Sequence, residues 1–377
     1  MLMDTVRSSA RRLAGFGWSA LRANYQDLQL PYRLFLYVTD ACNCRCNMCN
    51  IWQKPTDHEL NLDELSRTLR SGAHFIRWMD ITGGEIFLRP DILDLFKLVA
   101  EALPKLFMFH FATNGSMPER VVEAAQVIRR SPIPQFIVTV SLDGPEDLHN
   151  QIRGIPGLWR RCLTTFQELR RARVPVVFGM TLTEHNHDQY QATVAAVQRV
   201  LPDIGHRDFH VNLPQISDLY YDNRSLIAPP MALILKSVQQ IHALRGFSLH
   251  PVNLLERAFL HHARAYVETQ RSPLVCEALS SSVVLGTRGE LFPCIIYNKS
   301  VGNVRQHQYS LEAVWQQQAR EKLRAEIRQG QCPHCWTPCE AYQTLLANTL
   351  PGGKNGGKNG GKNGGKTPST MTGPAWV

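Results

Sequence analysis

Nothing in the 377 residues approaches the ~18 consecutive apolar residues that a bilayer-spanning helix needs. No hydrophobic signal-peptide core follows the first basic residues, so a cytoplasmic protein is expected. A disulfide framework is missing as well. Nine of the ten cysteines fall in three groups, at 42–49, at 276 with 294, and at 332–339, which favours metal ligation in a reducing compartment. Cys162 stands alone and reads as a small buried apolar residue. Basic stripes interleaved with aromatics are also lacking. The formal charge of +9 is concentrated at the ends: residues 1–30 carry a net +2 and residues 351–377 a net +4. The body is left with +3, and no nucleic-acid partner is expected.

What is present suffices for a full core, since 44% of the residues are hydrophobic. Residues 1–32 form an N-terminal extension in which 5–28 can make an amphipathic helix, with Leu13, Phe16 and Leu21 apolar and Arg7, Arg11, Arg12 and Arg22 mostly elsewhere. Two roles are open to it: peripheral membrane contact, or a cap over one end of the main domain. Gly15 and Gly17 weaken any long helix there. From residue 33 to 225, strand-like and helix-like segments alternate. Strands are expected at Arg33–Thr39, Ile76–Thr82, Leu106–Ala112, Gln135–Leu142, Val174–Leu182 and Asp208–Leu213, with helices between them. Six β/α units in a row predict an α/β fold, a partial (β/α)6 TIM-type barrel, with reactive groups at the C-terminal strand ends. Residues 226–275 read as a helical linker. Residues 276–350 read as a small cysteine-rich domain with a hairpin around Thr287-Arg288-Gly289, and 351–377 as a disordered Gly/Lys/Asn-rich tail.

The densest chemistry follows the first strand. Cys42, Cys46 and Cys49 stand as C-x3-C-x2-C, with Cys44 between them. Three thiolates on one cubane cluster leave one iron open, because a [4Fe–4S] cluster normally takes four cysteines. A structural zinc site would need Cys44 as fourth ligand, a cramped arrangement within eight residues. One β/α unit later the second strand ends in Gly83-Gly84-Glu85, where paired glycines let the backbone pass close to a ligand and Glu85 can hold an ammonium group.

These two motifs together resemble the radical S-adenosylmethionine (SAM) enzymes. The resemblance implies that Cys42, Cys46 and Cys49 hold a [4Fe–4S] cluster, that Cys44 is a spare thiol, and that Gly83, Gly84 and Glu85 bind the methionine amino group of SAM. It also implies SAM contacts from Ser141, Asp143 and Arg153 near the fourth strand end, and from Thr181 and Asn186 beyond the fifth. Met48 stands where the family often has an aromatic residue and can pack beside the adenine. Cys276, Gly289-x4-Cys294 and Cys332-x2-Cys335 resemble the SPASM or twitch region of such enzymes, with Cys339 as a further ligand. A second, auxiliary [4Fe–4S] cluster is implied there, and a zinc knuckle is the alternative.

The activity so implied is reductive cleavage of SAM to a 5′-deoxyadenosyl radical, fed by a one-electron donor such as flavodoxin or ferredoxin. A small-molecule substrate, such as a sugar- or nucleotide-linked one, is expected over a peptide, because only about 32 residues precede the first strand where many peptide maturases carry a recognition domain of ~80. A ribosomal-peptide maturase and a non-catalytic electron carrier are the alternatives, and Gly-Gly-Glu argues against the carrier. Substrate contacts are sought in 208–221 and the helices at 229–268. His210, Asn212, Gln215, Tyr220 and Tyr221 are polar candidates there without a recognisable signature, and no catalytic acid can be named.

Overall fold

The computed structural model describes residues 2–225 and 231–355, with side chains from residue 7 onward. Six strands come first: β1 (Arg33–Tyr37), β2 (Trp78–Thr82), β3 (Met108–Thr113), β4 (Gln135–Ser141), β5 (Val176–Thr181) and β6 (Phe209–Asn212). They pair in chain order and all in parallel. Parallel neighbours require crossover connections, and the helices Leu62–Ser71, Ile92–Ala102, Pro118–Arg130, Leu158–Arg171 and Tyr190–Gln198 supply them. This is the expected α/β partial barrel.

Strand alternation divides its two faces. In β3, Phe109 and Phe111 point outward into an aromatic cluster with Phe96 and Phe136. Met108, His110 and Ala112, of the opposite parity, line a central cavity. Helix starts follow local chemistry too. Asn61 and Glu64 form a reciprocal capping box at the head of Leu62–Ser71, whose Leu65 and Leu69 are buried.

The sheet continues past β1. β7 (Ser282–Leu285) lies parallel to β1, with Arg33 opposite Ser282 and Leu36 opposite Leu285, and β8 (Glu290–Phe292) and β9 (Gly302–Asn303) follow antiparallel. The hairpin of the cysteine-rich region therefore extends the barrel sheet, and β1 is an interior strand. Three helical features depart from the sequence pattern. Glu146–Arg153 is a helix, the helical pattern that residues 310–329 carry divides into Leu311–Trp315 and Gln318–Arg328, and Pro338–Leu346 begins inside the last cysteine group.

The N-terminal helix, Leu2–Tyr25, is the cap. Phe16 stacks on Phe107 (ring centroids 5.0 Å) and meets Tyr32 and Trp78 edge-on. Arg12 donates to the Leu106 carbonyl (3.1 Å) and Arg77 to the Ser19 hydroxyl (3.1 Å). Among the described residues no helix is long and apolar enough to cross a membrane. Most of the glycine–lysine repeat, 356–377, lies outside the described residues. Its first lysine does not: Lys354 pairs with Asp27 (3.0 Å) and Glu277 (2.9 Å), beside Arg324 on Asp27 (2.8 Å).

Two outcomes are expected in denaturant melts. Phe16 is only half-buried, so Phe16→Ala should cost about 2 kcal/mol, less than the ~3–5 of a fully buried Phe, whereas Trp18→Ala, at a position 61% exposed, should stay within about 0.5 kcal/mol. Equal losses would refute the cap. Glu64 also accepts both arms of Arg305 (2.7 and 2.9 Å) and the Tyr309 hydroxyl (3.0 Å), and the Arg305 fork does most to hold its carboxyl down at about 2, against an ordinary 4.5. Its folded-state value is depressed, so its contribution is present above about pH 4.5 and is lost as pH falls through about 2. Glu64→Gln should therefore be less stable than the native chain at pH 7, with the gap closing along the acid limb.

Candidate active site

A cavity of about 330 Å³ runs through the barrel from the C-terminal strand ends, at Gly83, Thr113, Ser141 and Thr181, to the N-terminal ends at Arg33, Trp78 and Met108. That is within the range of small-molecule sites.

Cys42, Cys46 and Cys49 all line its upper end. Cys44 does not: it is buried and its sulfur accepts from the Asn114 side chain (3.1 Å). The loop is held by its backbone. The Arg45 and Asn47 amides donate to the carbonyls of Arg153 (2.9 Å) and Ile152 (3.0 Å), at the C-terminal end of the helix Glu146–Arg153. Gly154 ends that helix at φ +68°, and a Cβ there would stand 2.9 Å from Arg45. The helix thus delivers Arg153 to the cavity, where its guanidinium reaches both the Asp143 carboxylate and the Cys46 sulfur (3.8 Å). A hydrogen bond from Cys44, and then the charge of Arg153, bring Cys46 down to about 7 against the opposing effect of burial.

The glycine pair serves packing as well as access. The Gly84 and Glu85 amides donate to the carbonyls of Thr39 (2.9 Å) and Ala41 (2.7 Å). A Cβ on Gly83 would lie 2.4 Å from the first carbonyl oxygen, and one on Gly84 2.2 Å from the second. Both glycines also line the cavity. Glu85 does not. Fully buried, it accepts from the Thr113 hydroxyl (2.9 Å) and from the amides of Asn114 (2.6 Å) and Phe87 (3.3 Å). Burial pushes its carboxyl up to about 7 in spite of these bonds. The group expected to hold an ammonium instead ties the end of β2 to the end of β3.

The remaining expected contacts divide the same way. Ser141, Arg153 and Thr181 line the cavity, as does Met48. Asp143 and Asn186 stand behind it. Asp143 accepts from Arg153 and from the Thr181 amide (2.9 Å), while Asn186 donates to the carbonyls of Asp143 and Thr181 (both 2.9 Å) and joins the β4 and β5 ends. Of the polar candidates in and after β6, His210, Asn212, Tyr220 and Tyr221 reach the cavity, and the Tyr220 hydroxyl donates to the Gly83 carbonyl (2.8 Å). Gln215 is turned away to Tyr266 (3.1 Å).

Of the charged wall beneath, sequence reading had named only His210. Arg33 donates to Asp80 (2.8 Å), whose other oxygen meets His110 Nδ1 (3.0 Å), and His110 Nε2 meets Thr139 (2.9 Å). From the other side, His210 pairs with Glu256 (3.0 Å), Asn212 (3.1 Å) and the Tyr342 hydroxyl (3.0 Å). Burial would raise Glu256, but the charge and hydrogen bond of His210 outweigh it and hold the carboxyl at about 2. The available signal was Asp80 and His110 in the middle of apolar strands, at register positions directly opposite each other.

The C-terminal thiols separate. Cys276, Cys294, Cys332 and Cys335 surround a second, small cavity, where the Ala278 and Tyr297 amides lie 3.4 and 3.3 Å from the Cys276 and Cys294 sulfurs. Four thiols with amide donors fit the donor set of a [4Fe–4S] cluster. Cys339, in the first turn of Pro338–Leu346, lines the barrel cavity instead.

Residues 36–197 match the Radical SAM superfamily and 276–339 match SPASM, an iron–sulfur cluster-binding domain. The sporulation killing factor maturation protein SkfB of Bacillus subtilis (strain 168) is 28% identical over 170 residues, 45% of this chain and 40% of that protein. The antilisterial bacteriocin subtilosin biosynthesis protein AlbA of the same organism is 22% identical over 323 residues, 81% of this chain and 66% of its own. The matches thus span about two fifths to two thirds of those relatives. Streptococcus suis SuiB bound to precursor peptide SuiA shares the fold with a TM-score of 0.55 at 15% identity, over 79% of this chain and 68% of that one. A peptide-bound neighbour and relatives named for killing-factor maturation and bacteriocin biosynthesis overturn the preference for a small-molecule substrate. That preference rested on a count of residues ahead of β1, which has no bearing on what the cavity admits. Both family matches fall where the thiols gather: the chain carries a radical SAM domain, with a SPASM iron–sulfur cluster-binding domain joined to its barrel.

Proposed function

We propose that this enzyme modifies a ribosomally made peptide by abstracting hydrogen from an unactivated C–H bond. The observation that carries the reading is the alignment with the subtilosin biosynthesis protein, which covers 81% of this chain. When bound and reduced, the cluster and SAM supply a 5′-deoxyadenosyl radical. The chain's own part is positional. Cys42, Cys46 and Cys49 hold the cluster, while Gly83 and Gly84 present backbone to the methionine end of SAM. Arg153, oriented by Asp143, offers a guanidinium to its carboxylate. Ser141 and Thr181 face the same space, and Glu85 and Asn186 fix the strand ends that carry these groups. Cys276, Cys294, Cys332 and Cys335 hold one auxiliary cluster. Cys339, on the barrel side, remains a thiol of the substrate cavity.

Anaerobic protein reconstituted with iron and sulfide should carry about eight iron atoms per chain. The Cys42/Cys46/Cys49 triple Ala variant should keep about four and yield no 5′-deoxyadenosine from SAM and dithionite, whereas Cys276→Ala with Cys294→Ala should lose the other four. Cys339→Ala should retain all of them, and an iron loss there would return Cys339 to the ligand set. For the substrate, peptides encoded beside this gene should change mass only with SAM and reductant. No change in any of them, alongside turnover of a free metabolite, would sink the peptide reading.

A further inference from the structure

Four arginines are buried among the described residues: Arg33, Arg89, Arg245 and Arg324. Three stand against a carboxylate, Arg33 on Asp80 (2.8 Å), Arg89 on Asp91 (2.6 Å) and Arg324 on Asp27 (2.8 Å). Arg245 makes no such pair among the described residues. Its Nη1 donates to the carbonyls of His206 (3.2 Å) and Phe209 and its Nη2 to the Asn253 side chain (3.1 Å), while its Nε–H has no acceptor among the described residues. A guanidinium taken out of water without a counter-ion is costly. This one forms part of the cavity wall, at the end remote from the cysteine loop.

A second cation stands beside it. Arg207 also lines the cavity, donates among the described residues only to the carbonyls of Phe247 (2.7 Å) and Arg245 (3.4 Å), and is exposed, so the cavity reaches solvent here. Val252, which also lines the cavity, is exposed too, and Phe247 and Leu249 are 67% and 78% exposed in the adjoining turn. The carboxylates that share this cavity are already engaged, Asp80 with Arg33 and His110, and Glu256 with His210 and Tyr342.

We propose that this lower mouth is a carboxylate subsite, in which Arg245 and Arg207 receive a carboxylate of the substrate while Val252 and the neighbouring apolar turn carry the chain leading to it. The proposal rests on the peptide reading and narrows it to a substrate with an acidic side chain or a free C-terminus entering this mouth. Asp80 and Glu256 limit the excess positive charge, which suits a monoanion better than a phosphate dianion.

The test uses the full reconstituted chain and three N-acetylated peptides of sequence Ala-Leu-Ala-Xaa, binding being followed by calorimetry. One ends in Glu amide, one in Gln with a free C-terminus, and one in Gln amide, which is neutral. One of the two carboxylate peptides should bind about tenfold more tightly than the neutral one, the size of a charged hydrogen bond. Whichever does identifies the source of the carboxylate. Arg207→Gln, at an exposed position, should abolish that advantage, leave the neutral peptide's affinity unchanged and lower the melting temperature by no more than about 4 °C, since its bond to the Phe247 carbonyl is lost. Equal binding of all three peptides, or an advantage that survives Arg207→Gln, would overturn the subsite while leaving the peptide reading intact. Glutaric acid monoamide separates the converse case: if it alone binds in an Arg207-dependent way, the subsite stands and the peptide reading falls. No Arg207-dependent binding of any probe overturns the subsite.

Discussion

The upper site depends on two bare stretches of backbone lying in contact. With hydrogen alone at Gly83 and Gly84, the end of β2 comes close enough to the chain after β1 for two amides to reach the carbonyls of Thr39 and Ala41. Any Cβ would have to occupy the space of a carbonyl oxygen, and backbone cannot yield as a flexible side chain can. The contact sets where the cysteine loop leaves the sheet. The Gly83 carbonyl is then free to accept from Tyr220, whose ring packs on Tyr37 (4.7 Å), so the segment after β6 is registered on Gly83 and on the end of β1.

Strand β1 carries that geometry across the molecule. Lying between β2 and β7, it gives the barrel and the auxiliary region a shared ladder, so the two groups of thiols are related by backbone hydrogen bonds. The amides of Tyr32 and Arg33 both donate to the Ser281 carbonyl where the ladder starts. Arg33 is buried at this seam and reaches Asp80 in β2 and Gln343 in the last helix. Its burial is tolerable because the charge is paired and the ring of Trp78 lies 3.7 Å beneath the guanidinium.

How much of this was legible in the sequence follows from the range of the forces involved. Strand and helix order could be read because hydrophobic periodicity is local, and the strand ends then gathered Cys42, Gly83, Ser141 and Thr181 without further information. The helix Glu146–Arg153 was missed because it is short and follows Asp-Gly, a turn signal, although it places Arg153. Glu85 and Asn186 were assigned to a ligand on motif alone, whereas their hydrogen bonds run to neighbouring strand ends some 30 and 40 residues away in sequence. Cys339 lies four residues from Cys335, and proximity suggested a shared site. The helix that starts at Pro338 turns it to the other cavity. The wall of Asp80, His110, His210 and Glu256 needed the registers of β2 with β3 and of β6 with the helix Pro251–Thr269, which no local pattern contains.

That wall also accounts for why the barrel is hollow. An apolar lining of flexible side chains would repack into the void, because dispersion favours contact at crystal-like density. Here the inward side chains are fixed at both ends. His110 is held between Asp80 and Thr139, His210 between Glu256 and Asn212, and Arg153 between Asp143 and Cys46. Collapsing any of them would leave a buried charge or polar atom without its partner, at a cost that exceeds what the new contacts return. The pairs therefore act as struts. They hold open a channel joining the cysteine loop to the lower mouth, and neutralise their own charge in doing so, which leaves Arg207 and Arg245 as its cations with no carboxylate in contact among the described residues.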